Sequence, residues 1–221
     1  MPRLPALALA LAFAIAGCAE SPDAPPAPAA SATTDRDTVT AEMAEDTALR
    51  EGDRAPDFEL PDARGQLVRL NTLLLDGPVV LTFYRGAWCP YCNTQLHDYQ
   101  EAIGQVEAAG ATLVAVSPQT PDGSLTMEEK NELTFPVLSD VGNVVSRRYG
   151  LVYEVDRHTR DRYELGGIRL DSINGTDAWE LPVPATYVID RSGTIRFAFV
   201  EADYTQRASA RQVLDALRQL V

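Results

Sequence analysis

Pro78-Val79-Val80-Leu81-Thr82-Phe83-Tyr84 is apolar and β-branched almost throughout, and it constrains the fold more than any other segment. A strand with one wet face alternates polar and apolar residues, whereas an unbroken run fits a strand covered on both faces. Such a strand needs a sheet with helices above and below it. Soon after it comes Cys89-Pro90-Tyr91-Cys92. A helical stretch then runs from Cys89 to Ala109, with Leu96, Tyr99, Ile103 and Val106 at three- and four-residue spacing, and Gly110 stops it.

The remaining patterns agree with an α/β domain over 51–221. Phe58–Leu60 and Leu67–Leu70 flank a loop at Asp62–Gly65 and predict an N-terminal β-hairpin extension. Ala111–Val116 reads as a second buried strand, Glu128–Leu133 as a helix, Pro136–Ser139 as a short strand and Asn143–Tyr149 as a helix closed by Gly150. Ala185–Ile189 and Thr194–Val200 flank Asp190-Arg191-Ser192-Gly193, a second hairpin. Gln206–Leu220 is a last amphipathic helix with Val213, Leu214, Leu217 and Leu220 on one stripe. This order gives a central mixed sheet with helices on both faces. Residues 154–180 are the least legible. Ile173-Asn174-Gly175 and Trp179-Glu180-Leu181 read either as a loop capping a site or as a surface excursion packed by Trp179.

Upstream, Arg3 precedes an apolar run from Leu4 to Ala16, too short to span a bilayer comfortably and fitting the hydrophobic region of a signal peptide. It ends in Ile15-Ala16-Gly17-Cys18, which resembles the bacterial lipobox. That resemblance implies a lipoprotein signal over 1–17, a lipid on Cys18 and a periplasm-facing place in the cell envelope. Ala19 stands where inner-membrane retention has Asp, which points to the outer membrane. The competing reading is an ordinary secretory signal with an incidental cysteine. Residues 18–50 are dominated by Ala, Pro, Ser, Thr, Asp and Glu and predict a disordered tether. Net charge is −13, and among nineteen basic residues only Lys130 is a lysine. Binding to nucleic acid or anionic lipid needs clustered cations, so nucleic acid is excluded as a partner and a membrane is met only through the anchor.

Setting Cys18 aside leaves Cys89 and Cys92, placed between a buried strand and a helix. Unpaired N–H groups and the helix dipole at such a position favour a thiolate, and the second cysteine lies within the first turn, close enough to attack a mixed disulfide. Pro90 is tolerated because its missing N–H belongs to a first-turn position without a partner. A structural disulfide closing so small a loop gains little. A zinc site needs four ligands, and His97 lies about 140° around the helix from Cys92, with His158 the only other histidine. No metal or cofactor is expected, and the pair reads as a redox dithiol.

Phe83-Tyr84-Arg85-Gly86-Ala87-Trp88-Cys89-Pro90-Tyr91-Cys92 resembles the thioredoxin-fold active site, in which a strand runs into Trp-Cys-x-x-Cys. Val183-Pro184-Ala185-Thr186-Tyr187-Val188-Ile189-Asp190 resembles the segment that carries that fold's cis-proline. Over 51–221 the chain is similar to the alkyl hydroperoxide reductase/thiol-specific antioxidant branch, the peroxiredoxin-like proteins. The carriers are Gly52–Phe58, Val116-Ser117-Pro118, Phe135–Asp140 and Tyr149-Gly150-Leu151, in the order of bacterioferritin-comigratory-type peroxiredoxins.

This likeness implies a thioredoxin-like fold with Cys92 on the peroxidatic position. It also implies a peroxide substrate and a thioredoxin-like or other dithiol reductant, in a monomer or homodimer. The chain departs from the family pattern where Arg85 and Cys89 replace the Pro and Thr of Pro-x-x-x-Thr/Ser-x-x-Cys, and where Pro184 replaces an Arg of a later strand. Peroxide cleavage needs donors aimed at both oxygens. Arg85 therefore reads either as a replacement guanidinium or as a surface residue beside the motif. Trp88 reads as a packing and partner-docking residue, and Pro184 as a cis-proline or an ordinary trans proline at a strand start.

Two functions compete. One is a thiol-dependent peroxidase cycling Cys89 and Cys92 between dithiol and disulfide. The other is a thioredoxin-like oxidoreductase acting on protein disulfides in the cell envelope, with Cys89 as nucleophile and Cys92 resolving. A tethered, non-catalytic binding module would need no exposed thiolate. Likeness over the whole domain favours the peroxidase.

Overall fold

The computed structural model describes residues 38–220; the expected signal over 1–17, Cys18 and the expected tether up to residue 37 lie outside the described residues. The chain enters through α1 (Ala41–Thr47), forms a hairpin of β1 (Glu59–Pro61) and β2 (Leu67–Arg69), and passes through α2 (Leu70–Asp76) into β3 (Val79–Phe83). After α3 (Pro90–Glu101) and α4 (Ile103–Ala108) come β4 (Thr112–Ser117), α5 (Pro121–Lys130), β5 (Val137–Ser139) and α6 (Val144–Arg148). Then follow β6 (Val152–Glu154), α7 (Arg157–Leu165), α8 (Leu170–Asn174) and β7 (Glu180–Pro182). The chain ends through β8 (Ala185–Ile189), β9 (Ile195–Val200) and α9 (Ala210–Arg218).

The central sheet has the order β5-β4-β3-β8-β9. β3 pairs parallel with β4 from Val79↔Thr112 to Phe83↔Val116, and antiparallel with β8 from Val79↔Ile189 to Phe83↔Ala185. The sheet is thus mixed, as expected, and β3 is buried at every position. Its period of two divides the core. Val79, Leu81 and Phe83 pack with Ala44, Leu70 and Val145 on one face, while Val80 and Tyr84 pack with Leu96, Val106, Met127, Val213 and Leu217 on the other.

Thr82 sits on the second face without exposing its hydroxyl. Its Oγ1 shares a hydrogen bond with Thr186 Oγ1 at 3.0 Å, and Gln95 Nε2 and Tyr99 Oη of α3 join Thr186 at 3.3 and 3.2 Å. Tyr99 Oη also donates to the Ala208 carbonyl at 2.9 Å. This buried polar cluster under α3, in which only Gln95 Oε1 lacks a partner, fixes that helix on the sheet and ties it to the segment before α9.

Several elements differ from expectation. The tether does not reach residue 50: Thr40 caps α1 by accepting from Met43 N, and Ala44 and Ala48 are buried. Leu49 N donates to Tyr149 O at 3.1 Å and Glu154 N to Val39 O at 2.9 Å. Small alanines fill a narrow gap there, so the segment docks without the large apolar residues that would have marked it. The helix expected over 89–109 is broken at Ala102, whose N–H bonds to Tyr99 O in a tighter i−3 pattern just before Gly104. α5 starts earlier than expected, with Thr120 as cap and Pro121 in its first turn. Among the described residues there is no cis peptide bond, so the Val183–Pro184 bond is trans. The stretch leading into it is held extended by Val183 N donating to Leu151 O at 2.7 Å.

Candidate active site

The turn from β3 into α3 presents the two cysteines. Cys89 is the cap residue of α3, and Pro90 opens the helix. Asn93 Nδ2 donates to the carbonyls of Ala87 and Cys89 at 2.8 and 2.7 Å, and Gln119 Oε1 accepts from Ala87 N at 2.6 Å. Asn131 Nδ2 donates in turn to Asn93 Oδ1 at 3.1 Å. At Gly86, φ is +150° and an added Cβ would lie 2.4 Å from Trp88 Nε1, so only glycine lets the indole fold back over the turn.

Both cysteines are free thiols and buried, Cys89 at 1% exposure and Cys92 at 0%. Their protonation is asymmetric. A hydrogen bond from the Cys92 thiol holds the Cys89 pKa down at about 6 against burial, with help from Arg85, the Cys92 amide and Arg207. Complete burial, and then the hydrogen bond to Cys89 and its charge, push the Cys92 thiol well above the ordinary range. The two shifts run in opposite directions and make Cys89 the favoured thiolate of the pair and Cys92 its hydrogen-bond donor.

Arg85 is not a surface residue; it is only 2% exposed. Its guanidinium carbon lies 4.1 Å from the ring centroid of Tyr204, 4.9 Å from Trp88 and 5.8 Å from Tyr163. Nη2 donates to the Tyr163 hydroxyl, and buried Nε has no partner. Aromatic faces offset part of the cost of burying the cation. A cleft of about 350 Å³ opens beside Arg85, lined also by Tyr153, Asp156, Arg162, Tyr163 and Tyr204.

Arg207 Nη2 donates to Cys92 Sγ at 3.6 Å. Among the described residues neither Arg85 nor Arg207 is paired with a carboxylate. No group of three or more metal-ligating side chains occurs among them either.

Of the residues singled out from sequence, Cys89, Cys92, Arg85 and Trp88 come together. Pro184 is buried at the start of β8, the strand beside β3, in the trans form. His97 is exposed on α3. The 154–180 segment does cover the site, but through α7: Tyr163 packs on Trp88 at 5.2 Å between centroids. Trp179 lies under Arg160 and packs in the same apolar cluster as Trp88 and Tyr163, and the Ile173 carbonyl accepts from Thr120 N. Sequence reasoning missed Asn93, Gln119, Tyr163, Tyr204 and Arg207. Asn93, in the first turn of the helix, was the one with a local signal.

The AhpC/TSA family matches residues 51–198. A Mycobacterium tuberculosis chain that carries the name "Putative peroxiredoxin" is 30% identical over 167 residues, 76% of this chain and 92% of its own. Peroxiredoxin Q, chloroplastic, of Gentiana triflora is 28% identical over 151 residues, 68% of this chain and 59% of its own. Among solved structures, peroxidoxin BcpB of M. tuberculosis resembles the chain with a TM-score of 0.62 and 25% identity, over 78% of this chain and 99% of its own. The bacterioferritin comigratory protein of Xanthomonas campestris shares the fold at a TM-score of 0.57 and 17% identity, over 73% and 90% of the two chains. The chain therefore belongs to the AhpC/TSA family and has the thioredoxin-like fold of the peroxiredoxins.

Proposed function

We propose that this thiol-dependent peroxidase attacks peroxide with the Cys89 thiolate and closes each turnover with Cys92. The asymmetry of the pair carries the assignment: Cys89 caps α3 and its thiol pKa is pulled down beside Arg85, which has no carboxylate partner among the described residues, while the Cys92 thiol pKa is pushed up. The thiolate sulfur takes one peroxide oxygen, the O–O bond breaks, and the departing oxygen gains a proton and leaves as water or alcohol. Cys89 becomes a sulfenic acid. Arg85 supplies N–H donors beside the cleft, where negative charge builds on the departing oxygen. The Cys92 thiol then condenses with the sulfenic acid to release water, and a thioredoxin-type dithiol restores the pair. This reading takes Cys89 over Cys92, the cysteine that the family alignment sets on the peroxidatic position. Trp88 packs the turn against α7 and supports the site without reacting.

The test is to mix reduced protein with one equivalent of hydrogen peroxide and follow Trp88 and Trp179 fluorescence. Wild type should oxidise far faster than a free thiol, Cys92→Ser should keep that first step and Cys89→Ser should lose it. Ordinary thiol rates in the wild type would turn the reading towards disulfide exchange. Fast oxidation of Cys89→Ser would move the nucleophile to Cys92.

For the N-terminus, we read residues 1–17 as a lipoprotein signal and Cys18 as the acylated residue of an envelope protein facing the periplasm. The apolar run and Ile15-Ala16-Gly17-Cys18 support this. Mass spectrometry of the mature N-terminus should find Cys18 first and acylated; an unmodified start would reject it.

A further inference from the structure

We propose that Arg207 is the catalytic group of the second half of the turnover, holding Cys92 as a thiolate once Cys89 has been oxidised. This rests on the reading that Cys89 attacks first. Arg207 stands between β9 and α9. Its Nη2 is the side-chain donor on Cys92 Sγ, its Nη1 donates to the Gln206 carbonyl at 2.9 Å, and its buried Nε has no partner. The adjoining residue is pinned from α3 by Tyr99 Oη on the Ala208 carbonyl, so the guanidinium is set in place by the buried cluster and not by a surface ion pair.

The groups that face Cys92 are Cys89, Arg85, Tyr84 and Arg207. Before oxidation, the proton on Cys92 is useful where it is, because it hydrogen-bonds the Cys89 thiolate and a second negative charge there is opposed. Sulfenic acid formation removes that first negative charge. Tyr84 is a neutral phenol whose pKa burial pushes up. The charges then left facing Cys92 are two guanidiniums, and of these Arg207 is the one in side-chain hydrogen-bond contact with the sulfur.

Cys92 loses its proton and its thiolate attacks the Cys89 sulfur. The S–S bond forms, the S–O bond breaks, and the departing hydroxide leaves with that proton as water. No further oxidant or reductant enters this step. The resolving thiol is thereby kept inactive while the first thiolate is loaded and becomes active only after it has reacted.

The experiment uses the full chain carrying Arg207→Met or Arg207→Lys, reduced and mixed with one equivalent of hydrogen peroxide, with and without dimedone. In Arg207→Met, disulfide formation should slow about 10- to 100-fold, the loss expected for one charge-assisted hydrogen bond, and sulfenic acid formation should slow clearly less, because Arg207 is the smallest of the influences that hold the Cys89 thiolate. A dimedone adduct should accumulate on Cys89, and the pH profile of the second step should move to higher pH. Arg207→Lys, which keeps the charge, should recover part of the rate. Equal slowing of both steps would reduce Arg207 to a structural role and overturn the proposal. Unchanged disulfide formation would overturn it while leaving Cys89 as nucleophile. An adduct on Cys92 would overturn the proposal together with the reading beneath it.

Discussion

Replacing Cys92 with alanine should raise the Cys89 pKa by about one unit. In the wild type the Cys89 thiol titrates at about 6 instead of 9.0, first because the Cys92 thiol donates to it and then because Arg85, the Cys92 amide and Arg207 face it, with burial opposing. Alanine deletes the donor and leaves both cations. A hydrogen bond to a charged group contributes about 1.5–3 kcal/mol, and the lower figure applies because S–H is a weak donor. At 1.36 kcal/mol per unit this moves Cys89 to about 7, so that at pH 7 the thiolate fraction falls from about nine-tenths to about one-half. Titration of the thiolate absorbance in the far ultraviolet measures this directly. Cys92→Ser is the control, since its hydroxyl also donates, and it should stay near the wild-type value. If the alanine and serine variants titrate together at about 6, the hydrogen-bond argument is refuted and the cations alone set the thiolate.

Two further outcomes follow from the same geometry. A thiol whose pKa folding depresses adds stability that is present above its unfolded value and is lost as pH falls through the folded one. In the reduced state, the stability advantage of wild type over Cys89→Ser in denaturant titrations should therefore shrink as pH falls from 9.0 to about 6. Gly86→Ala should cost about 1–3 kcal/mol from the positive φ and the blocked indole position, read as a lowered urea midpoint with altered Trp88 emission; an unchanged midpoint would show that the turn tolerates a side chain.

The parts of the fold legible in sequence were those whose signal is local. The runs at Val79–Phe83 and Ala185–Ile189 have every residue buried, and uninterrupted apolar stretches of that length have few alternatives. Turn residues marked both hairpins. α1 was illegible because Ala44 and Ala48 gain burial only from the surface that receives them. α9 starts at Ala210, later than the expected Gln206, because a capping box between Ser209 and Gln212 sets its first turn, a local signal that the apolar spacing does not contain. In the site, the dithiol and the buried Arg85 sit in one short motif and could be read together. Tyr163, Tyr204 and Arg207 reach it from positions 78 to 119 residues away from Arg85 or Cys92, through long-range packing that no local pattern encodes.

The matched stretch of the family ends at residue 198 and begins at 51, and the surroundings of Arg85 and Cys92 do not respect those limits. Ala41 from α1 and Tyr204 both line the cleft beside Arg85, and Arg207 touches Cys92. All three come from the flanks. What the shared stretch passes on is a sheet and a turn able to hold a reactive sulfur. What lies beside Arg85, and which cation reaches Cys92, is written in the two ends of the chain. Exchanging those ends between two members of the family would replace one wall of the cleft and the cation on Cys92 while leaving the dithiol where it is.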